Sequence, residues 1–85
     1  PMNSRHRKFL ETLFRDPPPR TLEWSDIEAL FVALGATVVE GRGSRVRFVL
    51  NQAVATFHRP HPSKDALPYQ IQDVRSFLKQ AGVTP

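Results

Sequence analysis

Two histidines and several cations near them are the residues of this chain best suited to chemistry. His58 and His61 lie three positions apart. The cations around them in the sequence are Arg45, Arg47, Arg59 and Lys64. Imidazole can accept or donate a proton near neutral pH because its unperturbed pKa is about 6.5, and guanidinium binds phosphate oxygens through its two-pronged fork. We therefore predict the two histidines as acid–base residues and the four cations as phosphate ligands. Surface or turn structure is the alternative for the histidines.

The basic charge is concentrated in one segment. The chain carries a formal net charge of +4. Residues 41–64 contain five basic and no acidic residues, whereas residues 21–40 contain four acidic and no basic residues. Such a basic segment favours a polyanionic partner, and an ordinary solvated surface is the alternative interpretation.

Several other kinds of site are disfavoured. The chain has no cysteine, which excludes disulfides and thiolate zinc sites. The pair His58 and His61 with Asp65 could suggest a metal site, but the prolines around the histidines and the lack of helical periodicity argue against it. Residues 41–44 are glycine-rich but join two predicted strands, so a nucleotide-binding loop is disfavoured. We predict neither a metal nor a cofactor.

The sequence gives no sign of membrane association. No apolar run reaches the roughly 18–20 residues that a membrane span needs. The polar N-terminal stretch does not resemble a signal peptide. We therefore predict a cytoplasmic protein that does not contact a membrane.

The first 20 residues are predicted to form a helix and a spacer. Residues 4–15 have helical periodicity with Ser4 as the cap. Their apolar stripe is Phe9, Leu10, Leu13 and Phe14. Three prolines at 17–19 then favour a stiff extended connector. The stripe could dock on the same domain, or form a homo-oligomer or a contact with a partner protein.

Two more helices are predicted on either side of a run of strands. Residues 25–28 match a capping box that would start the second helix, and Gly35 is suited to the left-handed residue after its end. Pro68 is suited to the first turn of the third helix, which ends before Gly82.

Three strands are predicted at residues 36–40, 44–50 and 53–58. A two-residue turn at Asn51 and Gln52 would pair the last two strands in one register. On the apolar face, this register places Leu50 opposite Ala53, Phe48 opposite Ala55 and Val46 opposite Phe57. On the other face, it places Val49 opposite Val54, Arg47 opposite Thr56 and Arg45 opposite His58. Residues 59–66 are predicted as a loop, because Pro60 and Pro62 disfavour regular pairing.

The predicted fold is α+β with element order α-α-β-β-β-α. The helices pack on one face of a three-stranded antiparallel sheet. An 85-residue chain allows only one small domain.

Short motifs along most of the chain occur in an order found in a known family. They are Trp24-Ser25 at a helix start, Leu34-Gly35-Ala36, Gly43-Ser44 at a strand start, His58-Arg59-Pro60-His61-Pro62 and Leu78-Lys79-Gln80-Ala81-Gly82-Val83. Together they resemble HicA toxins, the small ribonucleases of HicA–HicB toxin–antitoxin pairs. The resemblance divides the chain into residues 1–20, the N-terminal helix and proline spacer, and residues 21–85, the HicA-like domain.

The resemblance implies a fold like that of double-stranded-RNA-binding domains and an enzyme that cleaves mRNA without a metal and so inhibits translation. It also implies neutralisation by a HicB-like antitoxin. His61 matches a position common in the family. The family's catalytic histidine usually follows Gly-Ser, where this chain has Arg45. Arginine cannot act as a general base.

Two other functions compete with the ribonuclease. One is a non-catalytic RNA-binding module, which needs arginines but no histidine. The other is an interaction subunit whose basic face binds an acidic protein, such as the antitoxin.

Overall fold

The structure is a computed structural model that describes residues 2–85, so the first residue of the predicted 1–20 segment lies outside the described part. The helices are α1 (Ser4–Leu13), α2 (Trp24–Ala33) and α3 (Pro68–Gln80). The strands are β1 (Leu22–Glu23), β2 (Thr37–Glu40), β3 (Arg45–Leu50), β4 (Ala53–His58) and β5 (Asp65–Ala66). The predicted α+β class and the order α-α-β-β-β-α are confirmed, with two very short strands added.

The strands β2, β3 and β4 form an antiparallel sheet with β3 in the centre. The pairing of β3 with β4 has the predicted register, from Arg45 opposite His58 to Leu50 opposite Ala53. Asn51 and Gln52 have φ angles of 47° and 72°, as the tight hairpin turn requires. The Asn51 side chain donates to the Ala81 carbonyl at 3.0 Å, which attaches this turn to the end of α3.

One face of this sheet packs against α2 and α3 and contains the core. The buried sheet residues are Val46, Phe48, Leu50, Ala53 and Phe57. Phe31 of α2 is fully buried, and its ring centroid lies 4.8 Å from that of Phe48 and 5.2 Å from that of Phe77. These edge-on contacts join both helices to the sheet through one aromatic cluster.

The first helix packs onto this same core. Leu10 and Leu13 of α1 are buried in the cluster that contains the sheet and the other two helices. The guanidinium of Arg75 in α3 lies over the Phe14 ring, 5.6 Å from its centroid. Of the alternatives for the α1 stripe, docking on the same domain is therefore the one that the structure shows.

The cap predicted for α1 is wrong by one position. Asn3 caps the helix, because its side-chain oxygen accepts from the His6 amide at 2.9 Å. The helix begins at Ser4 and ends at Leu13, two residues before the predicted end.

The capping box predicted for α2 is also wrong. The helix begins at Trp24, two residues before the start that a cap at Ser25 predicts, and has no side-chain cap. The Trp24 amide instead donates to the Lys64 carbonyl at 2.9 Å, beside the pairing of β1 with β5. Backbone pairing thus positions this end, and Glu28 is left to bind other groups. The left-handed residue predicted after the helix is confirmed at Gly35, where φ is 96°.

Part of the predicted loop 59–66 is a strand. Asp65 and Ala66 pair with Glu23 and Leu22 in a two-stranded antiparallel sheet. A two-residue strand is too short to show a period in the sequence, so the pattern could not reveal it. Among residues 2–85, no helix is long and apolar enough to cross a membrane.

Replacing Leu13 with alanine should lower the free energy of unfolding by about 2–5 kcal/mol, because this α1 side chain is fully buried. Urea denaturation would measure the change. The matched control is Val32→Ala in α2, whose side chain is 57% exposed, and its effect should stay within about 0.5 kcal/mol. Equal stability of the two variants would show that α1 is not part of the core.

Candidate functional site

The two histidines predicted from the sequence line one groove beside the end of β4. His58 is the last residue of β4 and is exposed, and His61 is exposed in the loop that follows. The groove has a volume of about 400 Å³ and is also lined by Ser44, Asp65, Leu67, Tyr69 and Gln70. We call it the histidine groove. Both histidines, Leu67 and Tyr69 are exposed, so the groove is open to solvent.

Ser44 contacts His58 across the sheet. Its hydroxyl oxygen lies 3.3 Å from Nδ1 of the His58 ring, within hydrogen-bond distance. The Ser44 carbonyl also accepts from the Arg59 amide at 2.9 Å, which extends the β3–β4 pairing by one step. Both contacts hold the His58 ring beside the start of β3. Sequence analysis placed Ser44 at a strand start but missed this pairing.

Arg45 and Arg47 lie on the face of the sheet that no helix covers, which we call the open face. Arg45 is the cross-strand neighbour of His58, and Arg47 is that of Thr56. Both arginines are exposed and line a shallow depression of about 420 Å³ with Val39 and Thr56. The fold therefore brings Arg45 next to His58 and places Arg47 two residues further along the same strand.

Lys64 lies further from these groups. It is exposed in the loop before β5 and is not among the residues that line the histidine groove. Its main-chain carbonyl accepts the Trp24 amide, so its backbone has a structural role at the start of α2.

Arg59 points away from the open face and binds two carboxylates. Its Nε donates to Glu28 of α2 at 2.5 Å. Its two terminal nitrogens donate to Glu40 of β2 at 2.7 and 2.9 Å. The hydrogen bonds that Arg59 donates to Glu40 and then to Glu28 raise the pKa of Arg59, and the hydrogen bond from Arg59 lowers the pKa of Glu40. The guanidinium thereby joins the end of β4 to α2 and β2.

Glu28 binds a second donor as well. The indole Nε1 of Trp24 donates to the same Glu28 oxygen at 2.5 Å. This carboxylate, predicted to cap α2, therefore connects the helix start to Arg59. This cluster of three charged side chains and a buried indole forms only when residues 24, 28, 40 and 59 come together in the fold. No local pattern in the sequence predicts that.

Gln70 holds the two sides of the histidine groove together. Among residues 2–85 it is the one buried polar residue, with 3% of its surface exposed. Its side-chain nitrogen donates to the His58 carbonyl at 2.8 Å, and its oxygen accepts from the Leu67 amide at 3.0 Å. The sequence analysis missed this residue. Its burial could have been inferred from its position, because this glutamine lies four residues before Val74 on the apolar stripe of α3.

The described residues contain no group of three or more histidine, cysteine or acidic side chains placed to hold a metal ion. His58, His61 and Asp65 line one groove but do not form such a group.

Comparison with protein families assigns most of the chain. Residues 24–83 match the family described as HicA toxin of bacterial toxin-antitoxin. The chain belongs to this family. The predicted resemblance is confirmed, and membership makes the protein a toxin of the toxin–antitoxin class with an antitoxin as partner. No curated protein and no solved structure matches the chain. The match to the HicA family begins at the first residue of α2 and includes the histidine groove and both arginines of the open face.

Replacing Gln70 with methionine should lower the free energy of unfolding by about 1–3 kcal/mol, because the His58 carbonyl and the Leu67 amide would lose their partner. Chemical denaturation would measure it. Gln72→Met is the matched control, since Gln72 is exposed on the same helix. A Gln70 variant as stable as the Gln72 variant would contradict the structural role.

Stability should fall in acid partly through Glu40. Its pKa is lowered from the ordinary value of 4.5 by the hydrogen bond from Arg59, so the charged form favours folding. This contribution is complete above that ordinary value and is lost as the pH falls through the lower pKa of the folded state. The difference between the urea midpoints at neutral pH and at about pH 3 should therefore be smaller in Glu40→Gln than in the wild type. Glu11→Gln, on an exposed position of α1, should retain the wild-type difference. A Glu40 variant with that same difference would contradict this role.

Proposed function

We propose that this toxin is an endoribonuclease that cleaves mRNA, inhibits translation and is neutralised by a HicB-like antitoxin. One observation carries the proposal. Two exposed imidazoles, His58 and His61, line one groove, and a guanidinium, Arg45, lies directly across the sheet from the first of them. Proton transfer and phosphate binding are the two functions that side chains must provide for RNA cleavage.

The proposed reaction uses the 2′-hydroxyl of the substrate as the nucleophile. One imidazole removes the proton from that hydroxyl, and the oxygen attacks the adjacent phosphorus. The bond from phosphorus to the 5′-oxygen breaks, and the other imidazole, in its protonated form, gives its proton to that oxygen. The products are a 2′,3′-cyclic phosphate and a free 5′-hydroxyl. The chain's own side chains provide the acid and the base that these steps need.

Arg45 occupies the position that usually carries the family's catalytic histidine. A guanidinium cannot deprotonate at working pH, so Arg45 is proposed to hold the phosphate while the acid–base work falls to His58 and His61. The contact of 3.3 Å between Ser44 and His58 supports this role, because it engages one nitrogen of a ring that lines the groove and leaves the other nitrogen for proton transfer. Arg47 and Lys64 are proposed as further phosphate contacts.

Arg59 was predicted to bind phosphate as well. Because its donors are directed at Glu28 and Glu40, we propose that a phosphate would reach Arg59 only by competing with these carboxylates. Its stronger proposed contribution is to hold the residue before it, His58, at the end of β4.

A non-catalytic RNA-binding module is the second candidate. The observation that favours it is the arginine at position 45, since phosphate binding alone needs cations and no base. Arg45 and Arg47 are both exposed on the open face, where a backbone could lie across them.

The antitoxin is proposed to cover the same basic surface. An acidic partner placed there would block RNA by charge and by shape. Leu10 and Leu13 of the α1 stripe are buried, and Phe9 and Phe14 are partly buried against the core, so a homo-oligomer through this helix would have to use mainly its polar outer face. Action on mRNA would place the protein in the cytoplasm.

Replacing both His58 and His61 with alanine should abolish growth arrest in cells and cleavage of RNA by the purified protein. The lost general acid and base together account for several orders of magnitude in rate. The matched control is His6→Ala, because this third histidine lies on α1 and outside the groove. Circular dichroism would check that the variants fold.

Cleavage products with a 2′,3′-cyclic end would support the proposed reaction. RNA binding by the wild type without cleavage would favour the second candidate. Full toxicity of the double variant would contradict the acid–base assignment.

A further inference from the structure

Two large apolar side chains are exposed at the rim of the histidine groove. Leu67 is 54% exposed and Tyr69 is 61% exposed, and both line this groove. They are two of the four large apolar residues that stand out as exposed in the described chain, and the other two, Val32 and Val54, lie elsewhere. Single exposed apolar residues are ordinary on a protein surface, whereas two at the mouth of one groove form an exposed apolar patch of the kind that marks interaction sites.

The charges around this rim differ from those near Arg45. Asp65 is the carboxylate that lines the histidine groove, and the guanidinium that also lines it, that of Arg59, is already bound to Glu28 and Glu40. A phosphate would be repelled there, whereas Arg45 attracts phosphate on the other side of His58. The two sides of His58 therefore favour the two different parts of a nucleotide.

Tyr69 also borders a second groove on its far side. That groove has a volume of about 380 Å³ and is lined by Pro17, Pro18, Pro19 and Arg20 together with Tyr69. The spacer thus supplies one more cation beyond the aromatic ring. Cations on both sides of an exposed aromatic ring are typical of proteins that bind single-stranded nucleic acid, in which bases stack on aromatic rings while the backbone follows the charges.

We propose that Tyr69 stacks on an unpaired base of single-stranded RNA and that Leu67 extends this apolar platform. The inference rests on the proposed function and adds the substrate class: RNA whose bases are free to leave their stack, not a continuous duplex. The base lies at the rim, and the phosphate beside it lies toward His58 and Arg45.

The test measures binding of a short 2′-O-methyl RNA, which has no free 2′-hydroxyl and cannot be cut by the proposed reaction. Tyr69→Ala should weaken binding of the single strand by about 5- to 150-fold, the range found for removing one aromatic platform. Tyr69→Phe retains the ring and should bind within about twofold of the wild type. Val32→Ala, at a residue of similar exposure on α2, should leave binding unchanged. A blunt duplex should bind equally to all four proteins.

A second measurement reads the ring directly. The chain contains one tyrosine, so labelling with 3-fluorotyrosine gives one fluorine resonance. This resonance should shift when the single strand is added and remain in place with an abasic strand of equal length, because the abasic strand has phosphates but no bases.

The outcomes separate this inference from the proposed function. Cleaving activity with unchanged binding in Tyr69→Ala would overturn the inference alone. Loss of binding in Tyr69→Ala from a wild type that does not cleave RNA would support the inference and contradict the ribonuclease. A resonance that shifts with polyglutamate but not with the single strand would overturn the inference in favour of an acidic protein as the occupant.

Discussion

The pairing of β3 with β4 determines which side chains form the core and which can reach a ligand. Side chains alternate across a strand, so one register places Val46 and Phe48 against the helices and Arg45 and Arg47 on the open face. A shift of one residue would bury the arginines and expose the phenylalanine. The burial of the aromatic cluster therefore stabilises the same arrangement that leaves the cations free. In this domain, core formation and site formation depend on one set of backbone hydrogen bonds.

The end of β4 shows how a small domain holds a solvent-exposed site in place. Consecutive residues point in opposite directions: His58 faces Ser44, whereas Arg59 faces the carboxylates of Glu28 and Glu40. The His58 carbonyl is bound by Gln70 from α3. The histidine is thereby attached to the sheet through its ring, to α3 through its carbonyl, and to α2 through its neighbour. Such attachment holds a side chain in one orientation without burying it.

The acidic and basic segments of the chain have separate tasks in the folded protein. Glu28 and Glu40, from the acidic segment, bind Arg59, while Arg45 and Arg47 from the basic segment remain exposed. The net charge alone would not distinguish Arg59, which joins three elements, from Arg45 and Arg47, which are available to a polyanion. The family of HicA toxins, to which residues 24–83 belong, provides the class of partner, and the geometry around His58 and Tyr69 provides the proposed chemistry and substrate.

The sequence by itself determined the three helices, the strands β2, β3 and β4, the register of β3 with β4, and the residues that share a face, because each depends on a local period or a turn of two residues. The start of α3 at Pro68 and the left-handed conformation of Gly35 followed from local signals in the same way. The tertiary structure alone decided which long-range groups meet: Arg59 with Glu28 and Glu40, Gln70 with His58, and β1 with β5. These partners are separated by 12 to 44 positions in the chain, and no periodic pattern records a contact between residues that far apart. The start of α2 also depended on such a contact, since the amide of Trp24 donates to the carbonyl of Lys64 and not to a neighbouring side chain.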